Sequence, residues 1–211
     1  MGQSRIDKNT PIAIISMDGD LCDLVQSVEN MDLLGVFELQ ADAVPPGLNY
    51  LGRDSEWSEV QERFPGVKVL VATDSFALRR QLFSFYGEEN VASIIAPDAI
   101  VAPTAHLGAG CIVQHDVKIM RAAQIGTGCK FNMDVTVHHD AVIGDFCTLT
   151  PGCRLLGKVT LEDDVYVGSG ATILPGCTIA RGTVIGAGAM VNRDTNPGDV
   201  VAGVPGRLLK T

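Results

Sequence analysis

Residues 135–155 read Val135-Thr136-Val137-His138-His139-Asp140-Ala141-Val142-Ile143-Gly144-Asp145-Phe146-Cys147-Thr148-Leu149-Thr150-Pro151-Gly152-Cys153-Arg154-Leu155. A large aliphatic side chain returns at every sixth position, at Val137, Ile143, Leu149 and Leu155. Two residues before each stands a small or β-branched one: Val135, Ala141, Cys147 and Cys153. The count extends in both directions without an insertion, through Val101, Leu107, Val113, Ile119, Ile125 and Phe131 upstream and Leu161, Val167, Ile173, Ile179, Ile185 and Val191 downstream. All but Phe131 are aliphatic. The smaller set runs in step, from Ala99, Ala105, Cys111, Val117, Ala123 and Cys129 to Val159, Val165, Ala171, Cys177, Thr183 and Ala189. A hexad with one large and one small inward residue, separated by Gly, Asp or Asn, forms one flat side of a triangular coil. Three hexads make a turn, so the run builds about five coils whose ladders stack along one axis and whose backbones bond coil to coil.

Upstream of Asp98 the period disappears. Pro11 to Ile15 reads as a buried strand, followed by the loop Ser16 to Asp20 and a helical spacing from Leu21 to Met31. Leu33 to Phe37 is a second strand and Val67 to Ala72 a third, with helices around Ser58 to Arg63 and over Phe76 to Tyr86. This is a small βαβ unit with a parallel sheet, of Rossmann-like kind. The expected organisation is a flexible tail over 1–9, an α/β domain over 10–97, a parallel β-helix over 98–194 and a C-terminal capping tail over 195–211. Val200 to Leu209, with Pro205 as a stop, is expected to fold back over the last coil, because a bare parallel edge invites fibre growth.

Composition agrees with a repetitive β architecture. The 211 residues are 46% hydrophobic but only 5% aromatic, with 23 glycines and 10 prolines, so the core is built from small aliphatic side chains and many turns. A net charge of -9 opposes sequence-independent attraction to nucleic acid or anionic lipid. No stretch approaches the ~20 apolar residues that span a bilayer. The start, Met1 to Arg5, lacks the apolar run of a signal peptide, and the expected location is the cytoplasm.

Five of the six cysteines occupy the small inward position, and Cys111, Cys129 and Cys147 follow one another at the 18-residue repeat. They are expected to be buried packing residues rather than metal ligands or disulfides. Cys22 lies in the first helix and is expected in the core rather than as a nucleophile. Of the polar residues at the turns, His139 shares a phase with Arg121, Gly157, Pro175 and Arg193. His115 shares another with Met133, Pro151, Ser169 and Ala187. The pairs His115-Asp116 and His139-Asp140 therefore lie at different corners and do not form one site within a chain. His106, His115, His138 and His139 fall in three different phases, which disfavours a metal site.

The unbroken hexads, the segment Val137 to Phe146 and the ending Val201-Ala202-Gly203-Val204-Pro205-Gly206 resemble the left-handed β-helix (hexapeptide-repeat) acyltransferases. Within them the chain is most similar to the sialic acid O-acetyltransferase and nucleotide amino-sugar N-acetyltransferase branch. The resemblance implies a left-handed helix, a homotrimer, and acetyl-CoA bound as co-substrate in a groove between neighbouring copies, with no metal. It implies that His139 is the catalytic base, that Asp140 raises its basicity, and that the Gly157 N–H receives the oxyanion. It further implies acetyl-CoA contacts at Thr148, Gly157, Ser169 and Ala187, and it assigns substrate binding to the α/β domain over 10–97. Imidazole chemistry suits this role: a neutral ring accepts a proton from an attacking amine or hydroxyl while a carboxylate fixes its tautomer.

The first-half loops depart from the family. Its usual Gly-x-x-Gly-His-Gly loop reads here Ser16-Met17-Asp18-Gly19-Asp20-Leu21, with carboxylates where a pyrophosphate approaches backbone amides. The paired Asp that often follows the second strand aligns with Leu39-Gln40, preceded by Glu38, and a loop glycine aligns with Asp74. Thr148 replaces a histidine. Asp18, Gly19, Asp20, Leu39, Gln40 and Asp74 are thus the candidate substrate-binding residues, and Asp18 and Asp20 also suit helix capping. The expected function is acetyl-CoA-dependent N-acetylation of an amino sugar, nucleotide-linked, in surface glycan biosynthesis. O-acetylation of a sugar hydroxyl, or a non-catalytic β-helix assembly subunit, are the alternatives.

Overall fold

The structure is a computed structural model that describes residues 10–210; the tail expected over 1–9 lies outside the described residues. The chain divides into two compact units, the first ending at Ile94 and the second beginning at Ile95.

In the first unit β1 (Thr10–Ile15), α1 (Gly19–Ser27), β2 (Met31–Phe37), β3 (Tyr50–Gly52), α2 (Trp57–Arg63), β4 (Lys68–Val71) and α3 (Phe76–Tyr86) follow in order. The strands form one parallel sheet in the order β3-β2-β1-β4. Ile12 to Ile15 and Val69 to Val71 are buried, which is why both strands read as continuous apolar runs. The first helix is shorter than its apolar spacing suggested. The chain leaves it at Val28, and Asn30 adopts φ 106, so Met31 already belongs to β2. The three-residue β3 has no sequence signal of its own. It is admitted by Gly35, where a Cβ would lie 2.2 Å from the Asn49 carbonyl that receives the Val36 N–H. Trp57 packs edge to face against both Phe37 and Tyr86, with the Trp57 and Tyr86 centroids 5.1 Å apart.

In the second unit a two-residue strand recurs every six residues from Ile100–Val101 to Met190–Val191. Each pairs in parallel with the strand one 18-residue coil away, as in Ile125 with Ile143 and Leu149 with Val167. Three sheets result. Five strands run from His106–Leu107 to Thr178–Ile179, six from Ile100–Val101 to Met190–Val191, and the third sheet continues through Val184–Ile185 into the C-terminal segment. This is the parallel β-helix expected from the hexads, left-handed as the resemblance implies. The inward ladders form one core, with Phe131 fully buried among aliphatic residues. All six cysteines are free and buried, and the Cys111, Cys129 and Cys147 thiols donate to the carbonyls of Gly126, Gly144 and Glu162.

The last coil is covered on all three sides, though not by a simple fold-back. Val200–Ala202 extends one sheet in parallel beside Val184–Ile185, and Arg207–Lys210 returns antiparallel on it. Gly206 N–H donates to the Met190 carbonyl on the six-stranded sheet, and the Thr195 N–H to the Thr178 carbonyl on the five-stranded one. No helix among the described residues is long and apolar enough to cross a membrane.

Candidate active site

Corner residues are stacked by backbone bonds from coil to coil. Asp140 N–H donates to the Arg121 carbonyl at 3.0 Å, Lys158 N–H to His139 at 3.0 Å, and Gly176 N–H to Gly157 at 3.1 Å. Arg121, His139, Gly157 and Pro175 therefore share the corner between the six-stranded and five-stranded sheets. Turning this corner puts Asp140 at φ 58, a left-handed conformation that short carboxylate residues tolerate better than most.

There the Asp140 Oδ2 lies 2.8 Å from His139 Nδ1. The carboxylate only accepts, so in the neutral ring Nδ1 carries the proton and Nε2 keeps its lone pair. The His139 hydrogen bond, reinforced by the charges of Arg121 and Lys158, holds the Asp140 carboxyl below its usual range. Arg121 Nη2 stands 3.5 Å from Asp140 Oδ1. The imidazole remains 53% exposed and the carboxylate 34%, so the pair is open to an incoming molecule. One coil further, Gly157 is the corner residue, and a Cβ built on it would lie 2.8 Å from both Cε1 and Nε2 of His139. Only a residue without a side chain lets the ring sit there. The Gly157 N–H makes no hydrogen bond among the described residues.

His115 does not pair with the neighbouring Asp116, as the dipeptide suggested. Its Nδ1 meets Asp98 Oδ1 at 2.8 Å, a carboxylate from the preceding coil. Partial desolvation is the largest single influence and pushes the Asp98 carboxyl up, but the His115 hydrogen bond, the backbone N–H groups of Asp98 and Asp116 and the charge of His115 together outweigh it, and the net shift is downward. The 18-residue phase carried this signal, since Asp98 and Asp116 occupy one position on successive coils. Here the residue one coil beyond the histidine is Met133, so this corner lacks the glycine that His139 has. Asp134 N–H on His115, Gly152 N–H on Met133, Gly170 N–H on Pro151 and Gly188 N–H on Ser169 define its stack. Ser169 and Ala187 are exposed on it, at the opposite edge of the six-stranded sheet from His139.

Thr148 differs from expectation. It takes the outward position of the third sheet, but it is completely buried, as are its neighbours Lys130 and Ile112 on that sheet almost completely. A ligand in a surface groove finds no exposed Thr148 atom to touch.

The first-half candidates follow the carboxyl ends of three parallel strands. Asp18 caps α1, its Oδ1 accepting the Leu21 N–H at 3.0 Å, and Gly19 and Asp20 are exposed in the first turn. Leu39 and Gln40 are exposed beyond β2, and Asp74 beyond β4. Glu38 belongs with them: its Oε2 accepts the Met17 N–H at 3.0 Å and its Oε1 the Leu39 N–H at 2.8 Å. Its only sequence signal was its place at the end of β2.

Residues 158–193 match the family model described as bacterial transferase hexapeptide (six repeats). The chain superposes over nearly its full length on several solved structures. The acetyltransferase domain of PglB from Neisseria gonorrhoeae has a TM-score of 0.88 at 24% identity, covering 94% of this chain and 99% of that one. PerB from Caulobacter crescentus, solved in complex with CoA and GDP-perosamine, has a TM-score of 0.85 at 28% identity, covering 95% and 97%. WeeI from Acinetobacter baumannii AYE has a TM-score of 0.80 at 21% identity, covering 96% and 100%. A search of curated protein sequences found no significant match.

Proposed function

We propose that the chain is a left-handed β-helix acetyltransferase of the hexapeptide-repeat kind that N-acetylates an amino sugar, using acetyl-CoA and His139 as general base. The observation that carries this reading is the Asp140–His139–Gly157 stack, in which a carboxylate fixes Nδ1 and the opposite nitrogen borders a bare backbone position. The neutral sugar amine attacks the thioester carbonyl carbon, forming the C–N bond as Nε2 takes the amine proton. Negative charge gathers on the carbonyl oxygen, where the Gly157 N–H donates to it. Collapse breaks the C–S bond, and the thiolate of CoA leaves and recovers the proton from His139.

Three copies assemble around this chemistry. Ser169 and Ala187 lie at the other edge of the six-stranded sheet from His139, so a cofactor touching both edges bridges two protomers. The α/β unit holds the non-reacting part of the acceptor at the carboxyl ends of β1, β2 and β4, and the enzyme works in the cytoplasm, which supplies acetyl-CoA.

The test is CoA release from acetyl-CoA with a panel of amino sugars and their hydroxyl counterparts, using the wild type and His139→Ala. Amine-dependent turnover that collapses in the variant supports the reading; turnover only with the hydroxyl compounds would replace it with O-acetylation. Unimpaired turnover by the variant sinks the assignment of His139.

A further inference from the structure

In open parallel sheets, ligands settle outside the carboxyl ends of the strands where the strand order reverses, and a pyrophosphate there rests on free amides of the first strand-to-helix turn. In this sheet the chain leaves β1 toward β2 and β3 and returns on the other side of β1 as β4, so the reversal lies at β1. The amides of that turn are already engaged by the chain's own carboxylates. Glu38 Oε2 takes the Met17 N–H at 3.0 Å, and Asp18 Oδ1 takes the Leu21 N–H at 3.0 Å. The Gly19 and Asp20 N–H groups belong to the same turn, which carries the acidic side chains of Asp18 and Asp20. Across the reversal, the N-terminus of α3 is capped likewise, its Leu78 N–H donating to Ser75 Oγ, and Asp74 is exposed in that loop.

Two basic side chains near these loops are turned to other tasks. Arg79 is buried and donates to the Thr73 carbonyl, and Arg53 donates through Nε to the Leu39 carbonyl. A diphosphate entering here meets like charge and has to displace a carboxylate from each occupied amide before bonding.

Resting on the reading that the α/β unit holds the acceptor, we propose that Glu38 and Asp18 close its first turn to pyrophosphate. The acceptor is an amino sugar without a nucleoside diphosphate: free, or already joined to another sugar or carrier through a neutral linkage. This separates the chain from PerB, whose structure holds GDP-perosamine.

The experiment is isothermal titration of GDP, UDP and dTDP, to about 1 mM, into the full-length wild type and the double variant Asp18→Ser, Glu38→Ala. Serine keeps the cap of α1 without its charge, and alanine frees the Met17 amide. Circular dichroism and melting check that the variant is folded, and single variants replace it if it is not. The expected result is no binding by the wild type and a gain of at least tenfold in affinity for one of the three diphosphates in the variant. Binding to the wild type at micromolar concentration overturns the proposal. Binding to neither protein overturns the role given to the two carboxylates. Acetyl-CoA is titrated into the same samples: if it fails to bind, the acetyltransferase reading falls, while the diphosphate titrations still decide the proposal about the turn.

Discussion

The Cα of Gly157 lies against the imidazole of His139, so close that a methyl group on it would be 2.8 Å from Cε1 and Nε2. Gly157 does not adopt a positive φ, so its lack of a side chain is required by the ring and not by the turn. Gly157→Ala is therefore expected to fold normally and to displace the ring. A displacement of about an ångström costs roughly 100-fold in kcat. Equal melting temperatures with a large loss of turnover check this; an alanine variant with full activity contradicts the arrangement.

Removal of the base itself has a larger consequence. His139→Ala is expected to lower kcat by about 10²–10⁴-fold while acetyl-CoA still binds, because general-base catalysis contributes on that order and the imidazole is not itself among the proposed cofactor contacts. Asp140→Asn is expected to lower kcat as well, since an amide no longer specifies which ring nitrogen holds the proton. Steady-state kinetics beside calorimetry with acetyl-CoA separates these effects from loss of binding.

The Asp140 carboxyl sits below its usual range because His139 donates to it and Arg121 and Lys158 lie near. A carboxyl depressed in the folded state stabilises the fold above its unfolded value of about 3.9, and that contribution fades as pH falls through the lower folded value. The difference in melting temperature between wild type and Asp140→Asn should thus be constant near neutrality and shrink below about pH 4. A difference that grows on acidification would contradict the sign.

Cys147 is buried with its thiol donating to the Glu162 carbonyl at 3.1 Å. Cys147→Ala leaves that carbonyl without this donor and opens a small void, costing about 1–3 kcal/mol. Urea denaturation measures it. In the native protein the three thiols of this ladder are expected to resist a thiol reagent and to react once unfolded.

If acetyl-CoA bridges two protomers, the protein in solution is a ring of three copies, and light scattering gives three times the chain mass. A monomer that turns over acetyl-CoA would show that His139 needs no second copy.

The β-helix was legible in residues 99–191 because its repeat is local: each hexad meets its neighbours at fixed offsets of 18, so period alone places Val137 under Leu155 and His139 under Gly157. The α/β unit has no such repeat. Its strand β3 is set by the approach of Asn49 to Gly35, and the end of α1 by a left-handed Asn30; neither is visible in hydrophobic spacing. Side-chain direction was likewise outside the sequence. The same His-Asp dipeptide pairs within itself at His139 but reaches back a coil to Asp98 at His115, and the closure of the Met17 amide by Glu38 joins residues brought together only by the pairing of β1 and β2. Sequence alone determined the coil and the order of residues along each corner, because these follow from periodic backbone geometry. Tertiary structure decided which carboxylate serves which donor, because that depends on distances across coils and strands that no local pattern encodes.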